Sequence, residues 1–316
     1  MNIFQSSILI KLFASSFFLL MLSSCDQANT LKPGTGRAHV EDVDLFYSIM
    51  GEGEPVLVIH GGPGLDHTYL MPQFGELSKN IQLIFYDQRG SGQSTGRSDS
   101  NSITIDQFVK DLEGLRQHLN LEQLNILGHS WGGLLAMHYA VQNPERIKSL
   151  ILVSSHGATD ESLIATAANL GERMRPEIIQ AQQELMGTKP FLERESTAVQ
   201  EFMRLQFEAY FYDRSLLDSL YLKFSQQTAS NGLEIYGLML KQLNGYDLRQ
   251  NLWKISVPVL VIHGANDPIP LSYAKGLAGL LPDGDLEILD KCGHFPFIEA
   301  PDLFVARIQQ FLADHD

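Results

Sequence analysis

The chain predicts an α/β fold in which a mostly parallel eight-stranded sheet, flanked by helices, is interrupted by an inserted helical cap. Three observations predict it. Short, continuous apolar runs such as Pro55-Val56-Leu57-Val58-Ile59 and Ile147 to Val153 suit strands buried on both faces of a parallel sheet. These runs alternate with stretches whose apolar residues recur at helical spacing. Between positions 158 and 251 the β-branched runs disappear, and helix formers, methionine and aromatic residues take over. A chain of 316 residues is long enough for one α/β unit with such an insertion.

The elements follow in order. Residues 38–50 alternate apolar and polar side chains, as an antiparallel hairpin with one solvated face requires. Residues 55–59 form the first buried strand, which ends in His60-Gly61-Gly62-Pro63-Gly64. A loop so rich in glycine brings backbone N–H groups close to a ligand. Residues 81–86 form the next strand and lead into Asp87-Gln88-Arg89-Gly90-Ser91-Gly92, where Asp87 and Arg89 are expected to pair and hold the loop. Thr104 and Gln107 match a capping box ahead of the helical stripe Ile105, Phe108, Val109, Leu112, Leu115 and Leu119. Residues 124–127 form a strand, 131–141 a helix and 147–153 a strand that ends near His156, for which no catalytic role is expected. After the cap come a strand over 257–263, a helix over 271–281, a strand over 285–289 and a final helix from Pro301.

Gly128-His129-Ser130-Trp131-Gly132 breaks the strand over 124–127 into a helix. A serine at the apex of such a turn is held out at the top of the sheet in a strained conformation, so its flanking positions must lack a Cβ. The helix start directs N–H groups to the same point, where developing negative charge is favoured. Because a hydroxyl is a poor nucleophile near neutral pH, it needs an imidazole and a carboxylate. Asp267 and His294 each follow a predicted parallel strand, and the order Ser130, Asp267, His294 is that of α/β-hydrolases.

The His60-Gly61-Gly62-Pro63-Gly64, Asp87-Gln88-Arg89-Gly90-Ser91-Gly92 and Gly128-His129-Ser130-Trp131-Gly132-Gly133 segments together resemble the motifs of prolyl iminopeptidases within the α/β-hydrolase fold. The similarity runs from about position 38 to the C-terminus outside the cap. It implies that Ser130 attacks the substrate carbonyl, His294 acts as general base and then acid, Asp267 orients it, and the N–H groups of Gly62 and Trp131 form the oxyanion hole. In that family acidic cap residues bind the free α-amino group of the substrate, but its tryptophan-rich cap sequence is missing here. Glu208 is the local candidate for substrate binding; its other reading is a solvated helix glutamate. If no acid reaches the pocket, the same machinery suits an uncharged ester or lactone. The implied partner is thus a small peptide or ester, with no cofactor and no metal.

A formal charge of −14 and the lack of any basic cluster argue against a nucleic-acid partner. Lys11 is the only charged residue before Asp26, and residues 8–22 form a largely apolar run of 15, short of the roughly 18 to 20 that span a bilayer. The following Leu22-Ser23-Ser24-Cys25 resembles the lipobox of bacterial lipoproteins, which implies cleavage before Cys25 and lipidation of it. The only other cysteine is Cys292. The expected organisation is a lipoprotein-type signal peptide at 1–24, a tether at 25–37, a catalytic domain at 38–157 and 252–316, and a helical cap at 158–251. The expected location is the cell envelope, on the periplasmic or extracellular face of a membrane.

Overall fold

A computed structural model describes residues 31–315. The apolar N-terminal run and Cys25 lie outside the described residues. Strands β1 (Gly34–Val40) and β2 (Val43–Met50) pair antiparallel through a tight turn at Glu41-Asp42. Strand β1 starts earlier than the sequence suggests: Gly34 to Arg37, expected in the tether, pair with Ile49 to Phe46, because ladder hydrogen bonds need no apolar side chain. Six further strands follow: β3 (Pro55–Ile59), β4 (Gln82–Tyr86), β5 (Leu124–His129), β6 (Ile147–Val153), β7 (Val259–Gly264) and β8 (Gly284–Leu289). They form one eight-stranded sheet in the order β1-β2-β4-β3-β5-β6-β7-β8, antiparallel only where β2 meets its neighbours.

That order decides where a site can form. The chain steps from β3 outward to β4 and then crosses back to β5, so β3 and β5 are neighbours whose following connections leave in opposite directions. The crevice at such a switch point, beyond the carboxyl ends of the strands, is open to a ligand. It is here that the glycine-rich loop after β3 and the serine turn after β5 stand side by side.

Alternation along the strands builds two cores, one on each face of the sheet. Ile84 and Ile126 pack with Phe108, Leu112 and Leu134 on one face, while their neighbours Phe85 and Leu127 pack with Phe74, Phe304 and Ile308 on the other. The helix Ile105–His118 is capped as expected at its start, where the Thr104 hydroxyl accepts from the Gln107 N–H. The Gln107 side chain does not return to close the box; it donates instead to Glu41 Oε2 at 2.7 Å. The expected Asp87–Arg89 pair does not form either. Asp87 accepts from His67 Nδ1 at 2.6 Å, and Arg89 forks onto Asp111 at 2.6 and 2.7 Å. Two residues apart on one strand-end loop, the two side chains reach separate elements.

Between β6 and β7 lie the helices Glu161–Arg173, Pro176–Met186, Ser196–Phe207 and Gln226–Gln242. The last is fastened to the loops below it: Thr228 Oγ1 donates to Asp66 Oδ2 at 2.9 Å and accepts from the Gly92 N–H at 3.1 Å, and Asn231 donates to the Gly90 carbonyl. Among the described residues no helix is long and apolar enough to cross a membrane.

Candidate active site

Ser130 leaves β5 with φ 57° and ψ −122°. A non-glycine residue held there costs on the order of 1–3 kcal/mol and persists only where its surroundings determine it. They do so by close approach. A Cβ on Gly128 would lie 2.5 Å from the Gly132 carbonyl oxygen, and one on Gly132 would lie 2.2 Å from that of Ile59. The helix Trp131–Gln142 therefore starts pressed against both β5 and β3. Trp131 sends its ring into the core, edge-on to Phe108, and donates Nε1–H to Gln88 Oε1 at 2.7 Å. Its backbone N–H, the first of the helix, has no acceptor within the helix and lies beside Ser130.

Asp267 follows β7 and His294 follows β8. The His294 Nδ1–H faces both carboxylate oxygens of Asp267, at 2.9 and 3.1 Å, and Asp267 Oδ1 also accepts from the Ile269 N–H at 2.8 Å. Burial alone would raise the Asp267 carboxyl. The positive charge that His294 and His263 can carry, with the hydrogen bonds from His294 and Ile269, outweighs that and holds it down at about 2. With Nδ1 committed to the carboxylate, Nε2 is the nitrogen left to face a substrate. His294 is also fixed through its backbone: its N–H donates to the Tyr210 carbonyl at 2.9 Å, and its own carbonyl accepts from His129 Nε2 at 2.9 Å. His129 and His156 are both kept neutral, at about 3, by burial and by repulsion from His294.

Ser130, His294 and Gly62 open on one cavity of about 400 Å³. Gly62 sits at φ +123°, a conformation that suits glycine and turns the loop after β3 around the cavity floor. The cap supplies the rest of the wall, chiefly apolar and aromatic, with Phe202, Phe207, Phe224, Leu170, Val199 and Met203 joined by the polar groups of Gln206, Tyr210, Thr228 and Tyr236. No Asp or Glu lines it among the described residues. Nor do these residues include a group of three or more His, Cys, Asp or Glu placed to hold a metal ion.

Glu208, the expected amine-binding residue, has other partners in the structure. It does not line the cavity, and it is not solvated either. It is 4% exposed, with Oε1 at 2.6 Å from Arg175 and 3.4 Å from Arg214. Helical phase places the neighbouring Phe207 and Tyr210 on the cavity and turns Glu208 towards the two guanidinium groups. Tyr210 belongs to the aromatic stretch that the sequence assigned to packing or to a pocket. Two other residues escaped the sequence. Tyr69 lines the cavity from a segment with no motif, and Glu299 accepts from the Gly293, Tyr212 and Asp213 N–H groups, tying the histidine loop to the cap.

The comparisons with known proteins agree with this fold. The family model for the α/β hydrolase fold matches residues 54–301. A proline iminopeptidase from Lactobacillus delbrueckii subsp. bulgaricus is 31% identical over 288 residues, covering 85% of this chain and 92% of that one. Among solved structures, a proline iminopeptidase from Mycobacterium smegmatis superposes with a TM-score of 0.66 at 22% identity, over 89% of this chain and 98% of that one. A thermophilic esterase from Thermogutta terrifontis superposes with a TM-score of 0.67 at 23% identity, over 90% and 100%. With a family match spanning most of its length and the sheet, elbow and strand-end loops in place, the chain belongs to the α/β-hydrolase fold family.

Proposed function

We propose that the protein is a serine hydrolase that works through an acyl-enzyme, and that it is an aminopeptidase releasing N-terminal proline or a similar small residue from peptides. The observation that carries the first part is the hydrogen-bonded Asp267–His294 pair opening on the same cavity as the strained Ser130. In this reading His294 Nε2 takes the Ser130 proton as Oγ attacks the substrate carbonyl. Asp267 stabilises the resulting imidazolium, and the N–H groups of Gly62 and Trp131 receive the oxyanion. The tetrahedral intermediate collapses as His294 returns the proton to the leaving amine, and water then repeats the sequence on the acyl-enzyme. The peptide substrate is supported by the named iminopeptidase relative at 31% identity.

A second reading, a carboxylesterase or lactonase acting on small uncharged substrates, is favoured by the lack of a carboxylate on the described cavity wall. An ammonium left unpaired there costs several kcal/mol. On the aminopeptidase reading the substrate amine meets oxygen atoms of Gln206, Tyr210, Tyr236 and Thr228, and the Asp66 carboxylate stands behind the Thr228 hydroxyl. Proline, alanine and leucine arylamides assayed beside short-chain aryl esters and lactones separate the readings. Cleavage of proline arylamide is the expected result, and turnover of esters alone transfers the assignment to the second reading. Ser130→Ala is expected to remove either activity by about 10⁴-fold or more. Undiminished turnover would refute the serine mechanism itself.

We further propose that the protein is exported and held at a membrane of the cell envelope by lipid on Cys25. This rests on the apolar run and Leu22-Ser23-Ser24-Cys25.

A further inference from the structure

One chain of hydrogen bonds runs through the base of the site and is not accounted for by the chemistry above. The Gly61 N–H donates to Tyr69 Oη at 2.8 Å. Tyr69 Oη lies 2.6 Å from His129 Nδ1, and His129 Nε2 lies 2.9 Å from the His294 carbonyl oxygen. Tyr69, His129 and His294 are each no more than 3% exposed, so water does not compete for these groups.

The direction of every bond in the chain is determined by its ends. A carbonyl oxygen only accepts, so His129 Nε2 carries a hydrogen. A backbone N–H only donates, so the Tyr69 oxygen accepts from Gly61 and turns its own hydrogen to His129 Nδ1, which in the neutral ring is an acceptor. One neutral tautomer of His129 satisfies all three bonds, and the alternative tautomer loses the bond to the His294 carbonyl and leaves the Tyr69 hydroxyl hydrogen without its acceptor.

The residues so joined are neighbours of the reacting groups. Gly61 precedes Gly62, His129 precedes Ser130, and His294 is the base itself. The loops after β3, β5 and β8, which the sheet brings near one another only through its strands, are thereby linked directly. We propose that Tyr69 and His129 are a positioning pair that sets the distance between the oxyanion-binding loop and the general base across Ser130. The inference rests on the serine-hydrolase reading of Ser130, His294 and Gly62. The pair transfers no proton to substrate and acts through the groups it holds, and misplacement of such groups by about 1 Å costs up to roughly 100-fold in rate.

The test combines Tyr69→Phe, which deletes a single oxygen, with His129→Phe, which keeps a ring and loses both bonds, and His129→Gln, whose amide can still donate to the His294 carbonyl. Active sites are first titrated with a serine-directed phosphonate and the labelled residue is mapped, and rates are expressed per titrated site. Expected are losses in kcat of about 10-fold for Tyr69→Phe and about 100-fold for His129→Phe with KM nearly unchanged. His129→Gln should recover to the level of Tyr69→Phe, and the double Phe variant should be no slower than His129→Phe, because a chain is broken only once. Normal kcat per titrated site in Tyr69→Phe and His129→Phe, with only thermal stability lowered, would reduce the pair to core packing and overturn the proposal. Multiplicative losses in the double variant would overturn the linkage. Failure of the wild type to label at Ser130 would instead remove the reading on which the pair depends.

Discussion

Asp267 shows how a single buried group ties the proposed chemistry to stability. Its carboxyl is held at about 2, below its ordinary 3.8, so the folded protein binds this proton more weakly than the unfolded chain does. The resulting stabilisation, about 2 kcal/mol, is fully present above the unfolded value and is lost as pH falls from about 4 towards 2. In urea unfolding, the stability gap between wild type and Asp267→Asn is therefore expected to narrow over that interval. A gap independent of pH would mean that the carboxylate gains nothing from its partners. Glu208 gives the opposite lesson. Its Oε1 is already shared between Arg175 and Arg214. Glu208→Gln is expected to lower stability by about 1–2 kcal/mol and to change amide and ester hydrolysis alike. A selective loss of about tenfold on proline arylamide would restore it as an amine-binding residue. The difference between these two residues marks what single positions reveal. Asp267 and His294 were legible because each follows a predicted strand and their order after Ser130 matches the hydrolase pattern. Glu208 was not, because a step of one residue on a helix decides between a cavity and an arginine pair, and sequence spacing does not show where the neighbouring helices stand.

At the scale of elements, the central strands β3 to β7 were the most legible, since burial on both faces leaves their composition almost no freedom. The cap was legible only as helical, because four amphipathic helices pack in many ways for the same pattern. The structure shows that the helix Gln226–Gln242 meets the glycine-rich loop after β3 backbone to backbone. A Cβ on Gly232 would stand 2.7 Å from the Gly64 carbonyl oxygen, while one on Gly237, further along the same helix, meets nothing within 4 Å. Two substitutions in one helix should then diverge. Gly232→Ala must push the cap away from the loop and is expected to destabilise by about 1–3 kcal/mol while lowering kcat/KM. Gly237→Ala is expected to stabilise by up to about 1 kcal/mol, through helix propensity alone, and to leave kinetics unchanged. Thermal unfolding and steady-state assays of the pair check this, and equal effects at both positions would show that the contact does not seat the cap.

On the scale of the whole molecule, every group in the proposed chemistry lies between Gly61 and His294, whereas Leu31 exchanges two hydrogen bonds with the Gln82 side chain at the start of β4 and Gly34 opens β1, none of them on the cavity wall. A change at the proposed attachment point is therefore expected to leave hydrolysis untouched. Lipid on Cys25 would supply about 0.8 kcal/mol for each buried CH₂, so one chain gives reversible binding and more than one gives stable attachment. Cys25→Ser removes the proposed attachment point while leaving every cavity residue untouched. The variant is expected to appear in the soluble fraction or to accumulate unprocessed, with kcat/KM in detergent equal to that of wild type. Wild type should partition with membranes and give an intact mass that begins at a modified Cys25. If unmodified wild type is recovered in the soluble fraction, residues 8–22 act as an ordinary export signal, and Cys25 carries no anchor.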